Sequence, residues 1–387
     1  MIAAALVFAA FLLSNMPSPI YPLWQNEIGF PTATITVLFS LYQGGVLIGL
    51  LGLGRYVDKI GWRTSLIGAT LLSCAASVAF AGADTAWQLM LGRFISGMAA
   101  GVFVSCGPAA ITAVFERAGH RRPSLVASLA ISSGLACGPL LGGFFADYAP
   151  APTRFVFIVE ALLLAVGAIA LLRDNTLRTV GRPNVDASSE AMIANAAEVS
   201  RRKFFMVVTF IFTSCYIASG VYMSIGSSYL QSSLGVHSAV LAGLLVFLVF
   251  GSAFTAQLMA ARFSPLSQAI VALAAGGVGA LILVLGISLD SSAALFASAV
   301  FSGASQGLGQ LVGLTLVRRI TALPKLRGAY AILNTVGYAV SGGSIAASWP
   351  LVKALGTAGA IVVIAAVVVV LTFTAGALTF VHRERMR

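Results

Sequence analysis

Charge is what this sequence has least of, and acidic charge least of all. Of 387 residues, 12 are Asp or Glu and 23 are Lys or Arg, so 9% of the chain is charged. A soluble domain carries about 25%. Histidine is nearly as scarce, with three residues at 120, 237 and 382, scattered along the chain. The four cysteines, at 74, 106, 137 and 215, fall within apolar runs and lack metal-ligand spacing. They read as small interior residues, not as a disulfide framework or a metal site. No Gly-Lys-Ser/Thr phosphate-binding loop occurs, which argues against an ATP-driven pump. No re-entrant filter segment of a channel is evident. Neither an enzyme nor a cofactor or metal is expected.

What is abundant points to lipid. Hydrophobic residues are 59% of the chain, with 24 Phe and 40 Gly, and the mean hydropathy is +0.97. Glycine in such numbers suits close helix packing in a bilayer. Apolar runs of roughly 20 residues, the length that crosses a bilayer, predict twelve helices. Their spans are 2–22, 32–53, 64–82, 87–110, 124–145, 155–172, 204–229, 238–259, 267–288, 293–317, 328–349 and 357–380. A polar stretch, 173–203, falls at the midpoint as a linker between two bundles, 1–172 and 204–380, and a basic tail follows at 381–387.

The charges are placed by side. All of the 23 Lys and Arg except Arg93, Arg154 and Lys353 fall on the side that carries the termini, while Glu27, Asp84, Asp147 and Asp290 fall on the other. Short loops rich in Lys and Arg stay inside, so both termini are expected in the cytoplasm. The net charge of +11 is then a topology signal, and no nucleic acid is expected as a partner. Arg201, Arg202 and Lys203 are placed to hold anionic lipid headgroups. Within the first span, Asn15, Pro17 and Pro19 interrupt the helix. Lipid does not tolerate exposed backbone polar groups but a lined cavity does. The far half of that helix is therefore expected against a cavity, unless it simply unwinds near the outer face.

Three stretches carry sharper signals. Gly54-Arg55-Tyr56-Val57-Asp58-Lys59-Ile60-Gly61-Trp62-Arg63 is a basic turn between the second and third spans. Its Gly54, Asp58, Lys59, Gly61 and Arg63 match a loop signature of the major facilitator superfamily, which this chain resembles. The run Leu91 to Gly101, with Arg93, Gly97 and Gly101, resembles that superfamily's signature on helix 4. Gly134, Gly138, Pro139, Gly142 and Gly143 match the signature of its proton-driven exporters. The alternatives are a generic basic turn, a structural Arg and an ordinary small-residue interface. The resemblance is to the twelve-helix drug/proton antiporter branch. It implies an all-α membrane protein of two pseudo-symmetric six-helix bundles with a substrate path between them. From the residues themselves, Asp58, an acid at a helix end, is expected to anchor the closed cytoplasmic gate, and the glycine face to hold the two halves together.

Arg93 is the basic residue inside a span, roughly 9 Å deeper than Trp87, and an intramembrane Arg marks a functional site by default. Glu160 lies equally deep, counted from Arg154. The two are expected to pair, with Asn15, if helix 6 turns that face inward; otherwise Glu160 is structural. Arginine keeps its proton, so the carboxyl is the member that can carry one; if Glu160 is structural, Asp58 is the alternative group for proton coupling. Candidate pocket residues are Asn15, Tyr216, Tyr222, Gln306, Gln310, Asn334 and Tyr338. Neutral and aromatic, they suit an amphipathic organic molecule. The expected function is a proton-coupled exporter of such a molecule in the cytoplasmic membrane, working as a monomer by alternating access. The alternatives are a proton-linked importer and a non-transporting receptor or structural protein.

Overall fold

The computed structural model describes residues 2–31, 33–53, 60–120, 122–173, 194–222, 229–230 and 238–386. Helix dominates, and no strand occurs among the described residues. Helix α1 (Ile2–Asn15) ends where two prolines remove backbone donors. One 3₁₀ turn, Ser18–Ile20, leads into the short α2 (Tyr21–Ile28). That helix stops at Gly29, whose φ of 78° is left-handed and whose N–H bonds Gln25 O at 2.9 Å. Helix α3 (Ala33–Ile48) widens into a π-turn at Gly49–Leu53. Gly61, at φ 86° and ψ 159°, sits in a region open essentially to glycine alone and launches α4 (Trp62–Ala81). A capping box of Thr85 and Gln88 starts α5 (Ala86–Arg117). Then come α6 (Pro123–Tyr148), α7 (Phe155–Arg173) and α8 (Ala194–Val221). Serines 238, 264 and 291 cap α9 (Ala239–Ala260), α10 (Pro265–Ser288) and α11 (Ser292–Ile320). The chain closes with α12 (Leu323–Val381) and α13 (Arg383–Met386).

Among the described residues, eight helical segments are long and apolar enough to cross a membrane. Helix α11 is not one of them, although it is buried on nearly every side. Ser298, Ser302, Ser305, Gln306 and Gln310 dilute its apolar character. The expected spans need three corrections. The first helix is broken at Asn15 and resumes as α2 to Ile28. The seventh starts at Ala194, so Arg201, Arg202 and Lys203 are helical and the linker ends earlier than expected. A helix outside hydrocarbon needs no apolar face, so its start escapes a hydropathy reading. The last two spans run together in α12, interrupted by non-helical Gly356 (φ 73°, ψ 171°).

Glycines set the closest approaches. A Cβ on Gly97 would lie 2.2 Å from Tyr42 O, and one on Gly101 would lie 2.3 Å from Val46 O. Gly45 and Gly49 face Phe94 O and Met98 O just as closely, at 2.4 and 2.3 Å. Helices α3 and α5 therefore touch backbone to backbone. The same closeness joins α6 to α1, where Gly134, Gly138 and Gly142 meet Phe8 O, Leu12 O and Met16 O at 2.4, 2.2 and 2.2 Å. Gly134, Gly138 and Gly142 thus bind α6 to α1, its neighbour upstream, and the expected contact with the second half falls to Gly143 and Pro139 of the same motif. The rest of the motif faces elsewhere. A Cβ on Gly143 would meet Ala239 O at 2.8 Å, and one on Gly243 would meet Pro139 O at 2.6 Å, so α6 also lies tight against α9. Downstream, Gly303 and Gly307 press α11 against Val249 and Ala253 of α9.

A carbonyl oxygen cannot rotate away as a side chain can, so added volume here strains the backbone itself. G97A is expected to cost about 1–3 kcal/mol, read as a lowered melting temperature in detergent. Gly44 has open space around its Cα. There Ala is expected to be neutral or stabilising by up to ~1 kcal/mol. Equal melting of the two variants would show that the glycine contact is not tight.

Candidate functional site

Where α1 breaks, its last carbonyls lose their intrahelical donors. Arg93 of α5 fills that gap. Its side chain is fully buried; Nη1 donates to Ser14 O at 2.7 Å and Nε donates to the Tyr21 hydroxyl. A cation at a helix C-terminus is also favoured by the helix dipole. Three rings surround the guanidinium, those of Tyr21, Phe39 and Tyr42, at 5.0, 5.4 and 5.4 Å. One donor group, Nη2, has no protein partner.

This guanidinium lines a central cavity of about 50 Å³ that also touches Asn15 and Tyr42 on one side and Tyr216, Gln306 and Tyr338 on the other. The Tyr216 hydroxyl meets the side chains of Tyr338 and Gln306, and the rings of Tyr216 and Tyr338 lie edge to face at 5.7 Å. Gln306 Oε1 and Gln43 Oε1 are buried without a donor. The cavity is thus walled by aromatic faces and set with unsatisfied donors and acceptors from several helices. Its volume holds a few waters at ~10–15 Å³ each. Pockets that bury organic ligands run to about 300–1,000 Å³, so this arrangement is closed to them.

Of the expected pocket residues, Asn15, Tyr216, Gln306 and Tyr338 line the cavity; the other three do not. The Tyr222 hydroxyl bonds Ser298 Oγ at 2.9 Å and Ser302 Oγ at 3.1 Å, clamping α8 to α11. Gln310 Oε1 accepts from Ser132 Oγ at 3.4 Å, and Ser132 Oγ accepts in turn from Gln257 Nε2 at 3.0 Å, which joins α11, α6 and α9. Asn334 Nδ2 donates to Tyr330 O at 2.8 Å within its own helix. Sequence reasoning missed Tyr42 and Gln43. They form a polar step inside an otherwise apolar run, one turn from Phe39, and that step was the available signal.

Arg93 and Glu160 do not pair in this conformation. Asn15 Nδ2 donates instead to Leu135 O at 3.4 Å. Glu160 is buried on α7, 3% exposed, facing α4, where Cys74 is its titratable neighbour. Its Oε1 has no partner, and neither do the buried Ser77 Oγ and Trp24 Nε1. The route between Glu160 and Arg93 runs through α2. Phe157, one turn before Glu160, stacks on Trp24 at 5.4 Å, and Trp24 lies 6.0 Å from Tyr21, which holds Arg93.

The elements also meet at the two ends of the molecule. At the basic end, Arg318 of α11 pairs with Glu116 of α5. At the opposite end, Asp147 of α6 accepts from Val240 N at 3.1 Å and from Ser238 Oγ at 3.3 Å, capping α9. In the expected gating loop, Gly54, Asp58 and Lys59 lie outside the described residues. Arg63 donates to Leu171 O at 3.1 Å and to Leu172 O, fastening the start of α4 to the last turn of α7. Among the described residues no three His, Cys, Asp or Glu converge on a metal site. Gly303-Ala304-Ser305-Gln306-Gly307 has the Gly-x-Ser-x-Gly spacing of a hydrolase nucleophile. That chemistry needs a strand-to-helix elbow, whereas these five residues lie in mid-helix, their outer glycines pressed on α9.

The family model described as Major Facilitator Superfamily matches residues 3–347. The chain belongs to that superfamily. The family match and the eight apolar helical segments agree on a multi-pass membrane protein. Similar curated proteins include the multidrug resistance protein MdtL of Klebsiella pneumoniae, 25% identical over 268 residues, 66% of this chain and 66% of the relative. Multidrug resistance protein 1 of Bacillus subtilis is 28% identical over 169 residues, 43% of each chain. The putative multidrug resistance protein MdtD of an Enterobacter species is 29% identical over 151 residues, 39% of this chain and 32% of the relative. The chain thus matches just under two thirds of the length of the first of these and less of the others.

Arg93 supplies two directed hydrogen bonds from one planar group, a geometry lysine cannot copy. R93K is expected to reach the membrane but to lower transport by an order of magnitude. Its conserved charge separates geometry from electrostatics. Uptake or efflux by R93K at the wild-type rate would refute the capping role.

Proposed function

We propose that this transporter is a proton-coupled exporter of amphipathic organic molecules, with twelve membrane helices in two six-helix bundles, residues 1–172 and 204–380. The observation that carries the reading is the central cavity. Aromatic rings, amides and one buried guanidinium converge there from both halves of the chain. A cavity of about 50 Å³ has to widen several-fold to admit an organic ligand. Widening from one end at a time is alternating access. Each end has its own closure, the Glu116–Arg318 pair at the basic end and the Asp147 cap on α9 at the other. The names of the similar proteins favour efflux, as does the motif Gly134 to Gly143. The basic end is assigned to the cytoplasm by the positive-inside rule.

Glu160 is the proton carrier in this reading. It acts on the cavity indirectly: a change of charge at Glu160 displaces Trp24 and Tyr21, and with them the hold on Arg93. Asp58 anchors the cytoplasmic loop.

Three experiments test this. In inside-out vesicles with a pH-sensitive dye, added substrate is expected to drive proton efflux from the lumen; proton entry with substrate would favour the importer. E160Q is expected to bind substrate, to lose gradient-driven transport by at least tenfold, and to flatten the pH dependence of binding. Pumping at the wild-type rate would make Glu160 structural. E116R is expected to slow turnover, and the exchange E116R/R318E to restore much of it. Failure of the exchange together with normal turnover by E116R would remove the latch.

A further inference from the structure

Helices α10 and α12 touch at mid-depth and part toward the basic end. A Cβ on Gly276 would lie 3.1 Å from Thr372 Cγ2, and Ala280 clusters with Ala365 and Val368. Below that contact Ala274, Gly277, Gly376 and Ala377 are too small to fill the space, and a cleft of about 690 Å³ remains. Its wall is apolar and its rim carries Ile270 and Phe373, the latter 81% exposed. Leu266 to Gly277, which line one side, span roughly 16 Å at 1.5 Å per residue. That is close to half of the ~30 Å hydrocarbon core, the depth of one leaflet. The cleft opens at Arg383, whose guanidinium lies 4.6 Å from the Phe380 ring. A second, polar recess continues from there. Phe380 and Arg383 belong to both, and Lys203, Val381, His382, Glu384 and Arg385 complete the recess. Basic residues outnumber the one carboxylate at this mouth. The slot is as deep as one acyl chain and ends in cations at headgroup level.

We propose that this cleft holds an anionic phospholipid of the basic-end leaflet. One acyl chain lies between α10 and α12, and the phosphate sits against Arg383 and Lys203. Basic pockets between membrane helices on this side suit such headgroups. The site is remote from the central cavity and independent of the direction of transport. The test is native mass spectrometry of the full-length protein equilibrated with equimolar phosphatidylglycerol and phosphatidylcholine. The wild type is expected to retain one phosphatidylglycerol several-fold over phosphatidylcholine. G376L places a side chain where nothing lies within 4 Å, so the protein accommodates it, and retention of both lipids is expected to fall about tenfold. K203Q/R383Q is expected to keep the chain bound but to bring the two lipids to parity, and K203R/R383K to recover the preference. Phosphatidylglycerol retained by G376L and by K203Q/R383Q at wild-type levels would overturn the proposal. So would a wild-type dimer carrying no lipid, because the cleft would then be covered by a second copy of the chain.

Discussion

In hydrocarbon every backbone carbonyl needs a donor, because no water is there to supply one. Helix α1 breaks that condition where it ends ahead of Pro17 and Pro19, and Arg93 of α5 supplies a donor to the Ser14 carbonyl at that end. The organisation of the cavity follows from this exchange. The break lets Tyr21 turn back to the guanidinium, and the guanidinium draws in the faces of Phe39 and Tyr42. A buried cation that would otherwise be costly becomes the cap of a helix end. Its remaining donor group, Nη2, keeps hydrogen-bonding capacity at the cavity wall.

The scaffold around that site uses two kinds of joint. Glycine faces bring α3 to α5 and α6 to α1 at backbone distance, which leaves no room for adjustment. Hydroxyl bridges, such as Tyr222 to Ser298 and Ser302, join α8 to α11 by directed bonds. A joint of the second kind can break and re-form at modest cost, about 0.6 kcal/mol on average in membranes. Helices that must shift during transport are better served by such bonds than by glycine contacts.

Much of the fold was legible because lipid imposes a length on every span. The spans of α4, α6, α7 and α9 lie within a few residues of their expected bounds. Depth was legible too, which is why Arg93 stood out. Direction around the helix axis was not. In a soluble protein the polar face tells which side is buried, but α7 is apolar toward both lipid and protein, with Leu162 and Val166 exposed and Phe157 and Leu164 buried. Equal depth therefore placed Glu160 beside Arg93 when it turns to α4 instead. The same gap hid the partner of the α6 glycines, since spacing describes a smooth face and not what lies against it. Tyr42 and Gln43 were lost because one polar step barely alters the hydropathy of a long run.

The contact between Gly138 and Leu12 has a genetic consequence. The three atoms nearest a Cβ at 138 would all be main chain of Leu12: the oxygen at 2.2 Å, the carbonyl carbon at 3.1 Å and Cα at 3.2 Å. Shrinking the residue at position 12 would leave that oxygen where it is. A lesion at Gly138 therefore has no allele-specific suppressor among substitutions of Leu12. Revertants selected for regained transport should instead restore glycine, or map to distant positions that let α1 as a whole move aside.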